Sequence, residues 1–206
     1  MQKIFLFPLN IVIYPGSSYS LHIFEERYKK MINLCLSDKH GFGIIAKFGD
    51  EISKVGTYVE ITDVSRKYPD GKLDIIVKGT RRFVVVSSSM HKDGYLVGNT
   101  HPYYDTIFEV DKNIIEGTLN KFANILQKIS LKLEPAFWKN LSSTPIKSFK
   151  IAEKTGLTLE QQQELLSLQD ETLRLNFLRE HLDKLEKYIS ESKVVREIVD
   201  GDGYLN

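Results

Sequence analysis

The hydrophobic period of this 206-residue chain changes once, near Asp105. Before that point apolar residues come in short runs bounded by turn signals. After it they recur every three to four residues, the spacing of one helix face. A change of period restricts the architecture more than any composition value can. A strand pattern buries one face of a pleated sheet, whereas a helical pattern buries a stripe.

Residues 3–9 read as a short strand, with Pro8 at an edge or a strand end because proline has no N–H for a ladder. Ile11 to Tyr14 stay extended, Pro15-Gly16 turns the chain, and Ser18 to Ile23 form another short extended piece. A helix is expected over Phe24 to Leu36, with Phe24, Tyr28, Met31, Ile32 and Cys35 on its apolar side. Strands follow at 42–48, 55–66, 72–78, 83–86 and 95–98. Pro69-Asp70-Gly71 closes a hairpin, and Gly79 interrupts as a bulge or a close approach of two backbones. This spacing predicts a small barrel or sandwich.

Beyond Asp105 the helical period sets in at Phe108. The first stripe runs through Ile115, Leu119, Phe122, Leu126 and Ile129, the last through Leu175, Leu178, Leu182, Leu185 and Ile189. Thr144-Pro145 reads as an N-cap followed by proline at the first helical position, and Gly156 as the end of that short helix. Thr158 and Gln161 have capping-box spacing. Asp170 is placed to cap the last long helix, which is expected to stop before Gly201. The fold class is therefore α+β, with a β-rich domain at 1–105 and a helical domain at 106–206.

Charge and cysteine content narrow the functional classes. The net charge of +1 is low for a chain whose main task is wrapping nucleic acid, where phosphate neutralisation supplies most of the affinity. Cys35 is the single cysteine, so no internal disulfide or cysteine-rich zinc site is expected. As a small apolar residue on a helix stripe it reads as core. No apolar run approaches the roughly 20 residues of a membrane helix, and a cytoplasmic location is expected. No cofactor motif is present. The single Gly-Lys pair, Gly71-Lys72, precedes Leu73 rather than completing a phosphate-binding loop.

Several pieces, taken in order, resemble the N-terminal domain of Lon proteases. The series opens with FPLNIVIYPG at 7–16, holding Phe7, Pro8, Leu9, Pro15 and Gly16. LHIFEERYKKMI at 21–32 follows, with His22 and Phe24. Gly56-Thr57, Tyr68-Pro69-Asp70-Gly71, Gly79 and Arg82-Phe83 continue it, and the stretch from IAEKTGLTLEQQQELL onward resembles the helical tail of that domain. The likeness spans about residues 3–185. It implies a PUA-like pseudo-barrel followed by a helical bundle, and a non-catalytic module that engages unfolded or extended polypeptide segments. An adaptor or regulator beside a protease or chaperone would fit. The ATPase and serine–lysine peptidase modules of full Lon proteases find no counterpart in these residues, so no enzymatic activity is expected. The shared motif residues read as architecture rather than chemistry.

Candidate contacts follow from the same reading. Tyr68 at a hairpin tip, with Tyr103 and Tyr104 after Pro102, could line a path for an extended polypeptide, since tyrosine suits a surface dry on one side and wet on the other. Packing between the two halves is the competing role for the Tyr103-Tyr104 pair. The second reading is RNA. Residues 64–93 hold seven Lys or Arg against three Asp, and Arg66, Lys67, Arg81 and Arg82 would carry it. Solvated strand edges protected by lysine are the plainer account of that charge, and nucleic acid is the less expected partner.

Overall fold

The computed structural model describes residues 1–106 and 109–201, the last nine through their backbone. Phe108, where the helical period begins, and residues 202–206 beyond Gly201 lie outside the described residues. The strands are β1 (Gln2–Leu9), β2 (Ser18–Ile23), β3 (Phe42–Phe48), β4 (Glu51–Lys67), β5 (Leu73–Met90) and β6 (Leu96–Pro102). The helices are α1 (Glu26–Ser37), α2 (Lys112–Lys128), α3 (Pro135–Ser143), α4 (Lys147–Ala152), α5 (Leu159–Ser167) and α6 (Glu171–Gly201). The chain divides into two compact units, one of residues 1–106 with 157–169 and one of 107–156 with 170–206. Helix α5 thus belongs to the unit that holds the strands, although its sequence lies far beyond β6.

In the first unit the strand order is β2-β5-β4-β3-β1-β6, and a further β5–β6 pairing closes the ring. β1 and β3 run parallel; the other pairs are antiparallel. Pro8 lies near the end of β1, past the β6 pairing, which stops at Leu6. The expected strands at 72–78 and 83–86 are one continuous strand, β5. Gly79 shifts its register without ending it: Tyr58 pairs with Arg81 and Val59 with Gly79. A Cβ at Gly79 would sit 2.4 Å from the Tyr14 carbonyl oxygen, closer than any side chain tolerates. Its N–H donates to Ser17 at 2.9 Å, and its own carbonyl accepts from Gly16 N–H at 2.8 Å. Pro15-Gly16 and Gly79 are therefore two halves of one backbone crossing. The Pro69-Asp70-Gly71 turn closes the β4–β5 hairpin, with Gly71 N–H donating to Tyr68 at 3.0 Å.

Helix α1 buries Tyr28, Met31, Ile32 and Cys35 against Phe7, Phe42, Ile75 and Val97. Tyr95 belongs to this core. Its ring stacks on His91 at 4.4 Å and meets Phe5 edge-on at 5.1 Å. Its hydroxyl, however, is buried with no hydrogen-bond partner. A buried unsatisfied hydroxyl costs about 1–3 kcal/mol. Tyr95→Phe is therefore expected to leave urea-unfolding stability unchanged or raise it by up to about 1 kcal/mol. A loss larger than that would show that the hydroxyl contributes a contact.

In the second unit α2 packs along α6, and α4 against α6 and α3. Phe122, Leu126, Phe137, Leu141, Phe149, Leu175, Leu178 and Leu182 are buried there, whereas Ile129, expected on the α2 stripe, is 46% exposed. Helix α3 was not legible as a period, being only nine residues long; its signal is Pro135 at the first helical position after Glu134. Thr144-Pro145 does not start a helix. Thr144 ends α3 and α4 begins at Lys147. The Lys147 ammonium turns back to the end of α3 and donates to the carbonyls of Leu141, Ser142 and Thr144 at 2.8, 2.7 and 2.6 Å. Those carbonyls lack helical donors, and a cation suits that pole. Gly156, at φ +66°, closes the turn after α4. The Thr158–Gln161 capping box forms as expected, and Asp170 accepts from the Thr172 and Leu173 amides at 2.7 and 3.1 Å. Helix α6 runs through Gly201 rather than stopping before it.

Candidate functional site

Helix α1 begins at Glu26, with Glu25 as its N-cap residue. Phe24 therefore precedes the helix, and it is 58% exposed rather than part of the α1 stripe. An apolar residue in that place often packs on the fourth helical residue. Here that residue is Lys29, whose ammonium donates to the Asp70 carbonyl at 2.9 Å, and the Phe24 ring stays at the surface.

Phe24 stands at the rim of a groove of about 390 Å³ in the first unit. Phe7, Pro8 and Leu9 from the end of β1 and Tyr28 from α1 line it, together with Ile52 and Leu96. Met90, 63% exposed at the end of β5, is also at this groove. Four ionisable side chains also line it: His22, Glu25, Arg27 and Lys47. The Glu25 carboxylate is held by Arg27 at 2.7 Å, and Arg27 also lies 4.6 Å over the Tyr28 ring.

His22 leads from the groove to the β4–β5 hairpin. Its Nδ1 lies 2.6 Å from Asp74, its cross-strand partner in the β2–β5 register. Tyr68 donates to the other oxygen of that carboxylate at 2.8 Å. These two hydrogen bonds, that from His22 first, hold the Asp74 carboxyl below the usual carboxylate range. The bond to Asp74 raises the Tyr68 phenol. His22 stacks on Phe24 at 5.9 Å and meets Tyr68 edge-on at 5.8 Å, and Arg66 covers Tyr68 at 4.7 Å. The order Phe24, His22, Tyr68, Arg66 is thus one surface strip running out from the apolar groove.

The other expected residues are not gathered with Tyr68. Nine residues of β5 separate Leu73, at the hairpin, from Phe83, which pairs with Pro102 beside Tyr103. That is roughly 30 Å of strand. The Tyr103 hydroxyl donates to the Ser167 carbonyl at 2.8 Å, which makes it a support for α5. Tyr104 is 68% exposed. Among the basic residues, Arg66 and Lys67 are exposed at the hairpin, and Arg81 lies over Tyr58 at 4.0 Å.

Arg82 is not available to a phosphate. Its side chain is only 4% exposed and is paired with Asp105. Nη1 also donates to the Leu166 and Leu168 carbonyls, both at 2.6 Å. These contacts fasten the end of α5 to β5. The motif residues Pro15, Gly16, Gly56, Asp70, Gly71, Gly79 and Phe83 sit at turns, strand crossings and core positions. Pro8, Leu9, His22 and Phe24 line the groove, and Phe7, a core residue, backs it. The sequence signal for it was Phe24 directly before the acidic pair Glu25-Glu26.

Further hollows lie elsewhere among the described residues. One, of about 370 Å³, lies beside Cys35, His40 and Tyr58; burial pushes the Cys35 thiol up to about 12, so it is not a ready nucleophile. Another, of about 530 Å³, lies in the second unit beside Leu126, Leu131 and Trp138. Among the described residues no cluster of His, Cys, Asp and Glu could hold a metal ion, and no helix is long and apolar enough to cross a membrane.

Residues 3–184 match the model of the ATP-dependent protease La (LON) substrate-binding domain. The chain is 27% identical over 200 residues to a Lon protease of Solibacter usitatus, covering 86% of this chain and 23% of that protein. It is 22% identical over 204 residues to a Lon protease of Cytophaga hutchinsonii, covering 92% of this chain and 24% of that protein. The chain therefore spans about a quarter of the length of these relatives. A crystal structure of a Lon N-terminal domain protein from Xanthomonas campestris superposes with a TM-score of 0.69 at 26% identity, over 86% of this chain and 97% of that one. The N-terminal domain of the Mycobacterium avium complex Lon protease gives 0.67 at 16% identity, over 88% and 98%.

Proposed function

This chain belongs to the Lon substrate-binding domain family, and from that premise we propose that it is a non-catalytic polypeptide-recognition module whose binding surface is the groove at Phe24. The carrying observation is the pair of large apolar side chains, Phe24 and Met90, exposed at an apolar groove in the strand-bearing unit. An exposed apolar surface rimmed by polar groups is what an unfolded segment can cover. Recognition of this kind tolerates many sequences, because it removes apolar surface from water without reading a fixed hydrogen-bond pattern. Stacked aromatic rings beside the groove would extend the contact along a chain. In a cell such a module would act as an adaptor or regulator of protein quality control, delivering segments to a protease or chaperone in the cytoplasm.

The test is binding of a permanently unfolded, carboxymethylated protein, followed by fluorescence anisotropy. Phe24→Ala and Met90→Ala are each expected to weaken binding about five-fold or more, the effect of truncating a central apolar anchor. Both positions are exposed, so thermal unfolding should be little changed. Unaltered affinity in the double variant would refute the assignment.

The strip ending at Arg66 favours RNA as a second reading, since stacked aromatics beside a cation suit single-stranded bases. That reading requires affinity that falls steeply with salt and is lost in Arg66→Ala. Salt-tolerant binding of unfolded protein that survives Arg66→Ala favours polypeptide.

A further inference from the structure

Resting on the reading of the Phe24 groove as a polypeptide site, we infer that it prefers apolar segments flanked by a carboxylate, and that Lys47 is the residue that makes the selection. The argument is a charge inventory of the groove. Glu25 is held by Arg27, and the Asp74 carboxylate beside the groove is held by His22 and Tyr68. Among the described residues Lys47 has no ion pair. It lies on β3 opposite Ile52, and both line the groove. Glu51 is the cross-strand partner of Phe48, so its side chain leaves the opposite face of the ribbon. Asp50 lies in the turn beyond and is exposed.

The groove therefore presents an unengaged cation, whereas the carboxylates at its edge are already engaged. An apolar side chain seated against Phe7 and Leu96 brings its neighbours in the segment to this rim. An acidic neighbour gains a partner in Lys47. A basic neighbour meets Lys47 and Arg27, and must compete with Arg27 for Glu25. The interaction is exposed, so it sets preference among segments rather than the bulk of the affinity.

The experiment uses three short fluorescein-labelled peptides with one common apolar core, flanked by Glu, Gln or Lys, titrated with the full chain at low salt. The expected order of affinity is Glu over Gln over Lys, with about three- to five-fold between the first two, the size of an exposed ion pair. Lys47→Gln should bring the Glu and Gln peptides together, and Lys47→Arg should keep the preference. Equal binding of all three by the unaltered chain overturns this inference and leaves the polypeptide reading standing. A Glu preference that persists in Lys47→Gln overturns it too, because another cation is then responsible. If no peptide binds and Phe24→Ala leaves the capture of unfolded protein unaffected, the polypeptide reading itself has failed.

Discussion

Replacement of Arg82 by alanine is expected to destabilise the first unit by about 3–5 kcal/mol, the usual cost of removing one partner of a buried ion pair. The guanidinium donates to the Asp105 carboxylate and to the carbonyls of Leu166 and Leu168. Its flat face also lies 5.1 Å from the Tyr103 ring centroid. Alanine removes every one of these donors and leaves Asp105, itself only 11% exposed at the side chain, without its guanidinium. Helix α5 has few other attachments of this strength. Gln163 donates to the Val55 carbonyl at 3.0 Å, and Tyr103 donates to Ser167. Amide hydrogen exchange in α5 should therefore accelerate in Arg82→Ala more than exchange in β3 or β4. Arg82→Lys keeps the charge but not the planar fork, so it should recover only part of the loss. The double variant Arg82→Met with Asp105→Leu should be more stable than Arg82→Ala, since no buried charge is left over. Urea unfolding checks the series, and a loss below about 1 kcal/mol in Arg82→Ala would contradict the buried-pair account.

A second loss of similar size, about 3–5 kcal/mol, is expected for Arg174→Ala in the helical unit. Arg174 is fully buried. Its Nε donates to Glu171 at 2.9 Å and to the Ser148 hydroxyl at 3.1 Å, and the guanidinium lies 4.7 Å over Phe149. Glu171 in turn accepts from the Ser148 amide at 2.9 Å and its hydroxyl at 2.6 Å. Ser148 is in the first turn of α4, whose N-cap residue is Ile146, a side chain that cannot accept a hydrogen bond. The carboxylate from α6 therefore performs the capping that α4 cannot supply for itself. Removing Arg174 strands that carboxylate in the core. Glu171→Gln should cost less, because an amide oxygen still accepts from the Ser148 amide. Circular dichroism with urea measures both, and Arg174→Ala as stable as the unaltered chain would refute the role given to the cluster.

Arg82 also shows where reading by residue type fails. In sequence Arg81-Arg82 is a basic pair in a basic stretch, and both belonged to the RNA reading. Alternation along a strand sends neighbouring side chains to opposite faces, and here one of the two lies over Tyr58 while the other is buried beneath α5. Which one faces inward depends on the bulge at Gly79, which changes the register of β5 just before them. A one-residue shift reverses every later side chain; Gly79 marks the bulge in the sequence, but not which of the two arginines after it turns inward. Phe24 is the converse case. Its spacing to Tyr28 fits a helix stripe, but the helix starts after it, so an expected core residue became a surface one.

The sequence by itself determined the class of fold and much of its punctuation. The change of period near Asp105, the Pro69-Asp70-Gly71 hairpin, the Thr158–Gln161 box and the Asp170 cap are local interactions, set by residues within a few positions of one another. The ordered motif pieces carried the family relationship as well. Tertiary structure alone decided that β6 returns to β5 and closes the ring. It alone placed α5 with the strands, and it brought Leu9, His22, Phe24 and Met90 to one groove. Those juxtapositions join residues tens of positions apart, and no local preference encodes them. They follow from which faces must be buried together once every strand has found its register.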